Sequence, residues 1–166
     1  MNKLIKFDKI KPLVIKREFR TEGEYIITQE KGDNDRFCLS LVYYGLKKPI
    51  RLRIVSGGDT DGGSIPNFAK GVFDPLLDKT VWGFIFHDEI WRHRVYYKEL
   101  YKNLDITFTE SNKIMKAIHE EMGCSWFEQN LTRYAVRWFG WYKWNNPELR
   151  IMEVKKPTLI IEELEI

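Results

Sequence analysis

The sequence predicts an α+β fold in which a small antiparallel β-sheet, formed by the N-terminal third, packs against about three α-helices. The first third contains short segments rich in β-branched and aromatic residues, which are typical of strands. The rest contains longer segments whose apolar residues recur at helical spacing. The 166 residues, of which 43% are hydrophobic and 14% aromatic, suffice for one domain with a packed core.

The strand prediction covers three segments, residues 24–30, 36–45 and 49–55. They alternate partly between polar and apolar residues and are rich in Ile, Val, Tyr and Phe. The connections contain Gly, Asp, Asn, Lys and Pro, and residues 30–35 have the composition of a hairpin loop. This spacing predicts an antiparallel meander.

Three helices are predicted after the strands. The first extends from Thr80 to about Lys102. The second begins with Thr109 as its N-cap, because an acidic residue follows in the first turn, and it ends at Gly123.

The third predicted helix extends from about Ser125 to Tyr142 and ends before Pro147. Its apolar residues recur at helical spacing, so we expect them to face the core. The predicted buried stripe consists of Phe127, Leu131, Tyr134, Ala135, Trp138 and Phe139.

A single domain is expected over residues 1–147, followed by an extended tail over residues 148–166. The tail contains two short apolar segments separated by Lys-Lys-Pro. Such a tail can pair as an edge strand of the sheet or dock on another subunit, and both alternatives fit the sequence.

The composition argues against several classes of protein. With 27 basic and 24 acidic residues the net charge is +3, so no specific nucleic-acid partner is expected. Cys38 and Cys124 are too few and too far apart for a disulfide framework or a structural zinc site. The charged N-terminus does not have the pattern of a signal peptide, and no apolar run is long enough for a transmembrane segment. We therefore expect a soluble protein.

The segment DTDGGSIP, residues 59–66, is the first candidate for a functional site. It follows a predicted strand and places Asp59, Asp61 and Ser64 among glycines, which allow close approach of a ligand to the backbone. Carboxylates in such a loop can bind a hard cation. The same residues also fit an ordinary Asx turn between Asp61 and Ser64.

The pair His87 and Asp88, inside the apolar first helix, is the second candidate. Both residues can bind a metal ion, or the imidazole can act as a general base on water while the adjacent carboxylate holds a divalent cation such as calcium. Alternatively, His87 forms a hydrogen bond within the core and Asp88 pairs with Arg92, four residues later. The other two histidines, His93 and His119, are expected on the surface. Alternatively, His119 points toward the same cleft, because it lies seven residues after Asn112 on the same helical face.

In their order along the chain, these features resemble a family common in tailed-phage genomes, domain of unknown function 1353. That family has roughly a Thr-Asp-x-x-Ser-x-Pro loop, a His-Asp-x-x-Tyr helix, a helix carrying an Asp and an aromatic third helix. The resemblance covers residues 49–144, about two thirds of the chain. The matching residues are Thr60, Asp61, Ser64, Pro66, His87, Asp88, Trp91 and the segment RYAVRWFGWYKW at 133–144.

The family pattern is itself similar to phospholipase A2, which has a helical His-Asp pair and an Asp on the next, antiparallel helix. By this resemblance His87 would be the base and Asp88 a cation ligand, with Asp61 or Asp59 completing the site. Asn112 stands where the family has the Asp that orients the histidine, and Trp91 stands where it has Tyr. An amide cannot stabilise an imidazolium as a carboxylate does.

Two hypotheses for the function follow. In the first, the protein is a phage-encoded hydrolase of an ester or amide bond in lipid or cell wall, with a pocket where the Asp61/Ser64 loop meets His87 and Asp88. In the second, these residues form a structural hydrogen-bond network in a virion or tail component or a binding module. The resemblance implies a location in the host cytoplasm or the virion. The expected partners are other phage proteins, or copies of the chain bound through its tail.

Overall fold

A computed structural model of the chain describes residues 4–10, 16–19, 25–28, 37–55, 79–93, 106–146 and 158–165. These residues contain antiparallel sheets at the N-terminal side and helices after them, which confirms the predicted α+β class. The chain forms two compact units, residues 1–60 with 157–166 and residues 61–156. The expectation of one domain over residues 1–147 stays a prediction. No helix in the described part of the chain is long and apolar enough to cross a membrane.

The first unit is built from strands. In chain order they are β1 (Ile5–Ile10), β2 (Lys16–Phe19), β3 (Tyr25–Thr28), β4 (Phe37–Tyr43), β5 (Ile50–Val55) and β6 (Leu159–Glu163). One sheet has the order β1-β4-β5-β6, and β2 and β3 form a separate two-stranded sheet. All neighbouring strands are antiparallel.

The predicted meander is correct for β4 and β5 and wrong for β3. β3 pairs with β2 and not with β4, and residues 30–35, where a hairpin loop was predicted, lie outside the described ones. The physical reason is that β1 occupies the edge of β4 on which β3 was expected, with Ile5 opposite Tyr43. β1 was missed because charged residues interrupt its short alternating pattern, and β2 because three of its four residues are charged.

The tail pairs as an edge strand, which is one of the two alternatives that the sequence left open. In β6, Leu159 lies opposite Ile54 and Ile161 lies opposite Leu52. These four side chains are at most 4% exposed. The sheet therefore takes part of its core from the last residues of the chain.

A line of polar contacts crosses the same four strands. The Asp8 carboxylate accepts hydrogen bonds from the Ser40 hydroxyl at 3.2 Å and from Nε of Arg51 at 2.9 Å. Arg51 and Arg53 also pair with Glu162, at 3.3 and 3.0 Å. The hydrogen bonds with Asp8 and Glu162 raise the pKa of the Arg51 guanidinium. Half-exposed ion pairs contribute little stability, so the sheet depends mainly on its apolar face.

The second unit is helical. Its elements are α1 (Val81–Arg92), α2 (Phe108–Glu121), α3 (Trp126–Ala135), a π-helical segment (Val136–Gly140) and α4 (Trp141–Asn145). The last three form one continuous helix, because the π-helical segment directly joins α3 to α4. α1 ends at Arg92, before the predicted end near Lys102, and residues 94–105 lie outside the described ones.

The helix ends follow local capping chemistry. The N-cap of α2 is Thr107, whose hydroxyl accepts the Glu110 N–H at 3.2 Å, so the prediction of Thr109 as N-cap was wrong. Thr107 has the extended backbone that a cap needs, whereas Thr109 lies inside the first turn. Gly123, at φ 73°, follows α2 as predicted. Ser125 and Glu128 form a reciprocal capping box at the start of α3.

The position of the tail in the sheet is tested by Ile161→Ala. Removing this buried side chain should lower the free energy of unfolding by about 2–5 kcal/mol, because it leaves a cavity opposite Leu52. Urea denaturation followed by circular dichroism measures the loss. Ile160→Ala is the matched control, since Ile160 is only partly buried, and its loss should be clearly smaller. Equal losses would contradict this packing of β6.

Candidate functional site

Helices α1 and α2 run antiparallel and carry His87 and His119, and the third histidine, His93, directly follows α1. Near the start of α1, Gly83 and Phe84 face His119 near the end of α2. Further along α1, His87 faces Phe108 at the start of α2. α1 is buried from Val81 to Ile90, which places its polar residues in the interior.

His119 is fully buried, so the prediction that it lies on the surface was wrong. Its Nε2 is 2.9 Å from the Thr80 carbonyl oxygen and its Nδ1 is 3.4 Å from the Thr132 hydroxyl. Its ring also packs edge-on against Phe84, with centroids 5.5 Å apart. The prediction failed because Glu120 and Glu121, which are exposed, follow it in sequence, while the helix turns His119 inward.

The helix contact at His119 requires a glycine. A Cβ atom at position 83 would lie 2.2 Å from Nε2 of His119, which is far inside van der Waals contact. Gly83 therefore allows α1 to approach the imidazole closely. Its place in an apolar helical segment was the one sequence signal that could have indicated this approach.

Burial lowers the pKa of His119 from 6.5 to about 4. The hydrogen bond with the Thr80 carbonyl and the charge of Glu128 oppose this shift, while the nearby His87 adds to it. His119 is therefore neutral at pH 7, so one of its ring nitrogens donates a hydrogen bond and the other accepts one.

His87 has a different environment, although its side chain is also buried, with the residue 6% exposed. Its Nδ1 is 3.4 Å from Oδ1 of Asp88. Its ring lies against Phe108 and Trp144, with centroids 6.3 and 6.4 Å away. Its Nε2 is buried and has no hydrogen-bond partner among the described residues. Within the described part of the chain, Nε2 of His87 is thus surrounded by aromatic rings and has no polar partner.

Two further predicted site residues, Asp88 and Asn112, lie on the same pair of helices. Asp88 is 5% exposed, and Oδ1 of its carboxylate lies 3.4 Å from Nδ1 of His87. Asn112 lies one turn after Phe108 on α2. Its Oδ1 is buried and likewise without a hydrogen-bond partner in the described part of the chain.

The other predicted site residues, Asp59, Asp61 and Ser64, lie outside the described residues. The meeting of their loop with His87 therefore stays a prediction. Within the described segments no group of three or more His, Cys, Asp or Glu could hold a metal ion. Asp88 is the only predicted metal ligand that falls in these segments.

His93 is 7% exposed, so its predicted place on the surface was wrong as well. Its Nε2 is 3.7 Å from Oε1 of Glu89, which is 2% exposed. The flanking arginines in the sequence suggested a solvated face, but α1 is enclosed almost to its end, so His93 and Glu89 are buried together.

The predicted buried stripe of the third helix was wrong for three of its six residues. Leu131 packs against the core as predicted, Ala135 is partly buried, and the side chain of Phe139 lies outside the described ones. Phe127, Tyr134 and Trp138 are exposed, by 58%, 56% and 76%. Thr132, Val136 and Trp144 are buried instead, and Val136 packs with Phe84 and Met115. The helix has apolar residues on two opposite sides, and its smaller side chains fit the tight contact with α1 and α2.

Gly140 and the π-helical segment shape this contact. A Cβ atom at position 140 would lie 3.2 Å from Val136 and 3.5 Å from Phe108. The glycine thus leaves room for Phe108, which packs on Trp144 with centroids 5.2 Å apart. π-helical segments are frequent at functional sites, and this one precedes the residue that covers His87.

Cys124 is not suited to act as a nucleophile. Burial raises the pKa of its thiol to about 11, so the reactive thiolate is not formed at neutral pH. The candidate reactive group in the described helices is the imidazole of His87 beside the carboxylate of Asp88.

Comparisons of the chain with protein-family models, curated proteins and solved structures find no match.

The buried state of His119 predicts a pH-dependent stability. Because the folded pKa, about 4, lies below the unfolded value of 6.5, the unfolded chain binds the proton first. The stability linked to neutral His119 is complete above pH 6.5 and is lost as the pH falls toward 4, with a total of roughly 3 kcal/mol. Urea denaturation of the parent and of His119→Gln between pH 7.5 and 4 measures it.

The His119→Gln variant should be less stable at pH 7.5, and its stability should fall less steeply with decreasing pH. Other titrating groups are common to both proteins, so the difference between the two curves isolates His119. Parallel curves would contradict a buried neutral imidazole.

Proposed function

We propose that the protein is a hydrolase in which His87 is the general base. The observation that supports this proposal is Nε2 of His87, which is buried and has no hydrogen-bond partner in the described part of the chain. Buried polar atoms in folded proteins are almost always paired, so an unpaired one needs a reason. A nitrogen kept free for water or substrate is such a reason.

His119 supplies the comparison that strengthens this interpretation. Both histidines are buried on the same helix pair, but both nitrogens of His119 contact polar protein atoms. A structural histidine in this interior is therefore fully paired. His87 departs from that pattern at one nitrogen only.

The proposed step uses both nitrogens of His87. A hydrogen bond from Nδ1–H to Asp88 would leave the lone pair on Nε2 as proton acceptor and stabilise the imidazolium that forms. Nε2 takes a proton from water while the water oxygen bonds to the carbonyl carbon. The bond from that carbon to the leaving group then breaks, and the leaving group takes the proton from Nε2.

The remaining predicted residues extend this proposal. The unpaired Oδ1 of Asn112 would accept a hydrogen bond from water or substrate. Asp61, Ser64 and Asp59 would complete the site from their loop, where the carboxylates and Asp88 are suited to a hard cation such as calcium. The proposed substrate is an ester or amide of lipid or cell wall.

The proposal is tested by hydrolysis of p-nitrophenyl esters of increasing acyl length by the full chain, with and without calcium. His87→Ala should lower kcat/KM at least about 100-fold, because a general base is lost. Asp88→Asn should lower kcat and change its pH profile, because the amide cannot stabilise the imidazolium. Lys116→Ala, a surface change on α2, is the control and should leave the activity unchanged.

Activity that survives His87→Ala would refute the proposal, and so would the absence of turnover with lipid, peptidoglycan and model esters alike. Circular dichroism of each variant shows whether a loss of activity follows from unfolding.

A second candidate is a non-catalytic binding module, and the exposed rings of the last helix favour it. Exposed apolar patches of this kind mark interaction surfaces. In this case His87 and Asp88 would be structural. His87→Ala would then lower the melting temperature strongly, and calorimetry would detect no binding of calcium, magnesium or zinc by the parent.

A further inference from the structure

The helix formed by α3, the π-helical segment and α4 presents two parallel rows of large side chains to solvent. We call these rows together the aromatic ridge. The first row is Phe127, Tyr134, Trp138 and Tyr142. The second row is Trp126, Arg133, Arg137 and Trp141. All eight side chains are exposed, and Trp126 and Trp138 are more than three-quarters exposed.

The spacing explains why the rows are straight. Successive members are seven, four and four residues apart in both rows, so they lie on one side of the helix. The buried residues Thr132, Val136 and Trp144 are four and eight residues apart, so they also share one side of the helix, opposite the two rows. From Trp126 to Tyr142 the ridge extends about 24 Å, at roughly 1.5 Å per residue. A flat surface can therefore touch all eight side chains at once.

The chemistry of the ridge suits the interface between water and lipid. Its rings are mainly Trp and Tyr, whose apolar bodies and polar tips are favoured at the level of lipid headgroups. It contains no aliphatic residue. A dry protein interface or a core would use Leu, Ile or Met as well.

The positive charge of the ridge favours lipids with anionic headgroups. Residues 129–146 contain no Asp or Glu, and Arg133 and Arg137 lie between the two tryptophans of the second row. Guanidinium groups form bidentate hydrogen bonds with phosphates, and basic residues near a membrane are attracted by anionic headgroups. The complementary surface is therefore flat, partly apolar and negatively charged.

We propose that the aromatic ridge is a docking surface for an anionic lipid membrane. The helix lies in the plane of the interface with both rows inserted among the headgroups, while its buried row holds the rest of the second unit. A single-stranded nucleic acid would also satisfy arginines and rings, but such proteins bind it in a groove, whereas one helix offers a convex ridge. The proposal does not depend on whether His87 is catalytic.

The test is binding of the full chain to vesicles at low ionic strength, measured by co-sedimentation and by tryptophan fluorescence. Vesicles of phosphatidylglycerol mixed with phosphatidylcholine should bind the chain and shift its emission to shorter wavelength, with weaker binding to phosphatidylcholine alone. Trp138→Ser combined with Tyr142→Ser should reduce the partition coefficient at least about tenfold. Tyr44→Ser, an exposed tyrosine outside the ridge, should leave it unchanged.

The role of the arginines is tested separately. Arg133→Gln combined with Arg137→Gln should reduce binding to the anionic vesicles about 25-fold, or roughly fivefold for each charge. Lys113→Gln combined with Lys116→Gln removes the same net charge from α2 and should have a much smaller effect. Circular dichroism and melting temperature show that each variant is folded.

Several results would overturn the proposal. One is a chain that stays in the supernatant with anionic vesicles at low ionic strength. Another is equal binding of the parent and of the Trp138/Tyr142 variant. A third is a dimer in analytical ultracentrifugation that this variant dissociates, without vesicle binding, which would assign the ridge to a second copy. Oligothymidine binding abolished by the variant, without vesicle binding, would assign it to a nucleic acid.

Discussion

The packing of the helical unit depends on one imidazole at the point where three helices meet. His119 belongs to α2, bonds to the carbonyl that begins α1, and contacts the Thr132 hydroxyl in α3. The close approach of α1 is possible only because position 83 has no side chain. A neutral ring is required, because a charge enclosed among apolar side chains without a carboxylate partner would be costly. The hydrogen bond with Thr80 and the space at Gly83 thus hold α1, and with it His87 and Asp88, against α2.

The same helix pair shows why burial alone does not distinguish structure from chemistry. His119 and His87 are both enclosed, and each has one polar contact through Nδ1. They differ at Nε2, which bonds to a backbone carbonyl in His119 and has no partner among the described residues in His87. Phe108 and Trp144 cover His87 without offering a hydrogen bond. An apolar enclosure of this kind strengthens any electrostatic interaction formed inside it.

The last helix has two apolar sides, one of which is buried and the other exposed. Its inner side uses small residues and one tryptophan, and the rise of the π-helical segment brings Gly140 and Trp144 against Phe108. Its outer side carries the aromatic ridge, which makes no contribution to the core. Because Trp144 contacts His87, the element that bears the ridge also forms one wall around the candidate base.

Local chemistry accounts for much of the fold. The segments of β4 and β5, the start of α1, the end of α2 and the cap at Ser125 follow from alternation, helical spacing and capping residues, all of which act over a few positions in the chain. The distant partners do not follow from such short-range patterns. Which strand pairs with β4, which side of an aromatic helix faces inward, and whether His119 is buried depend on segments far apart in sequence competing for the same space. Helical periodicity identifies residues that share one face of a helix. When both faces are apolar, it does not show which face is buried, and the space available at Gly83 and Gly140 decided this.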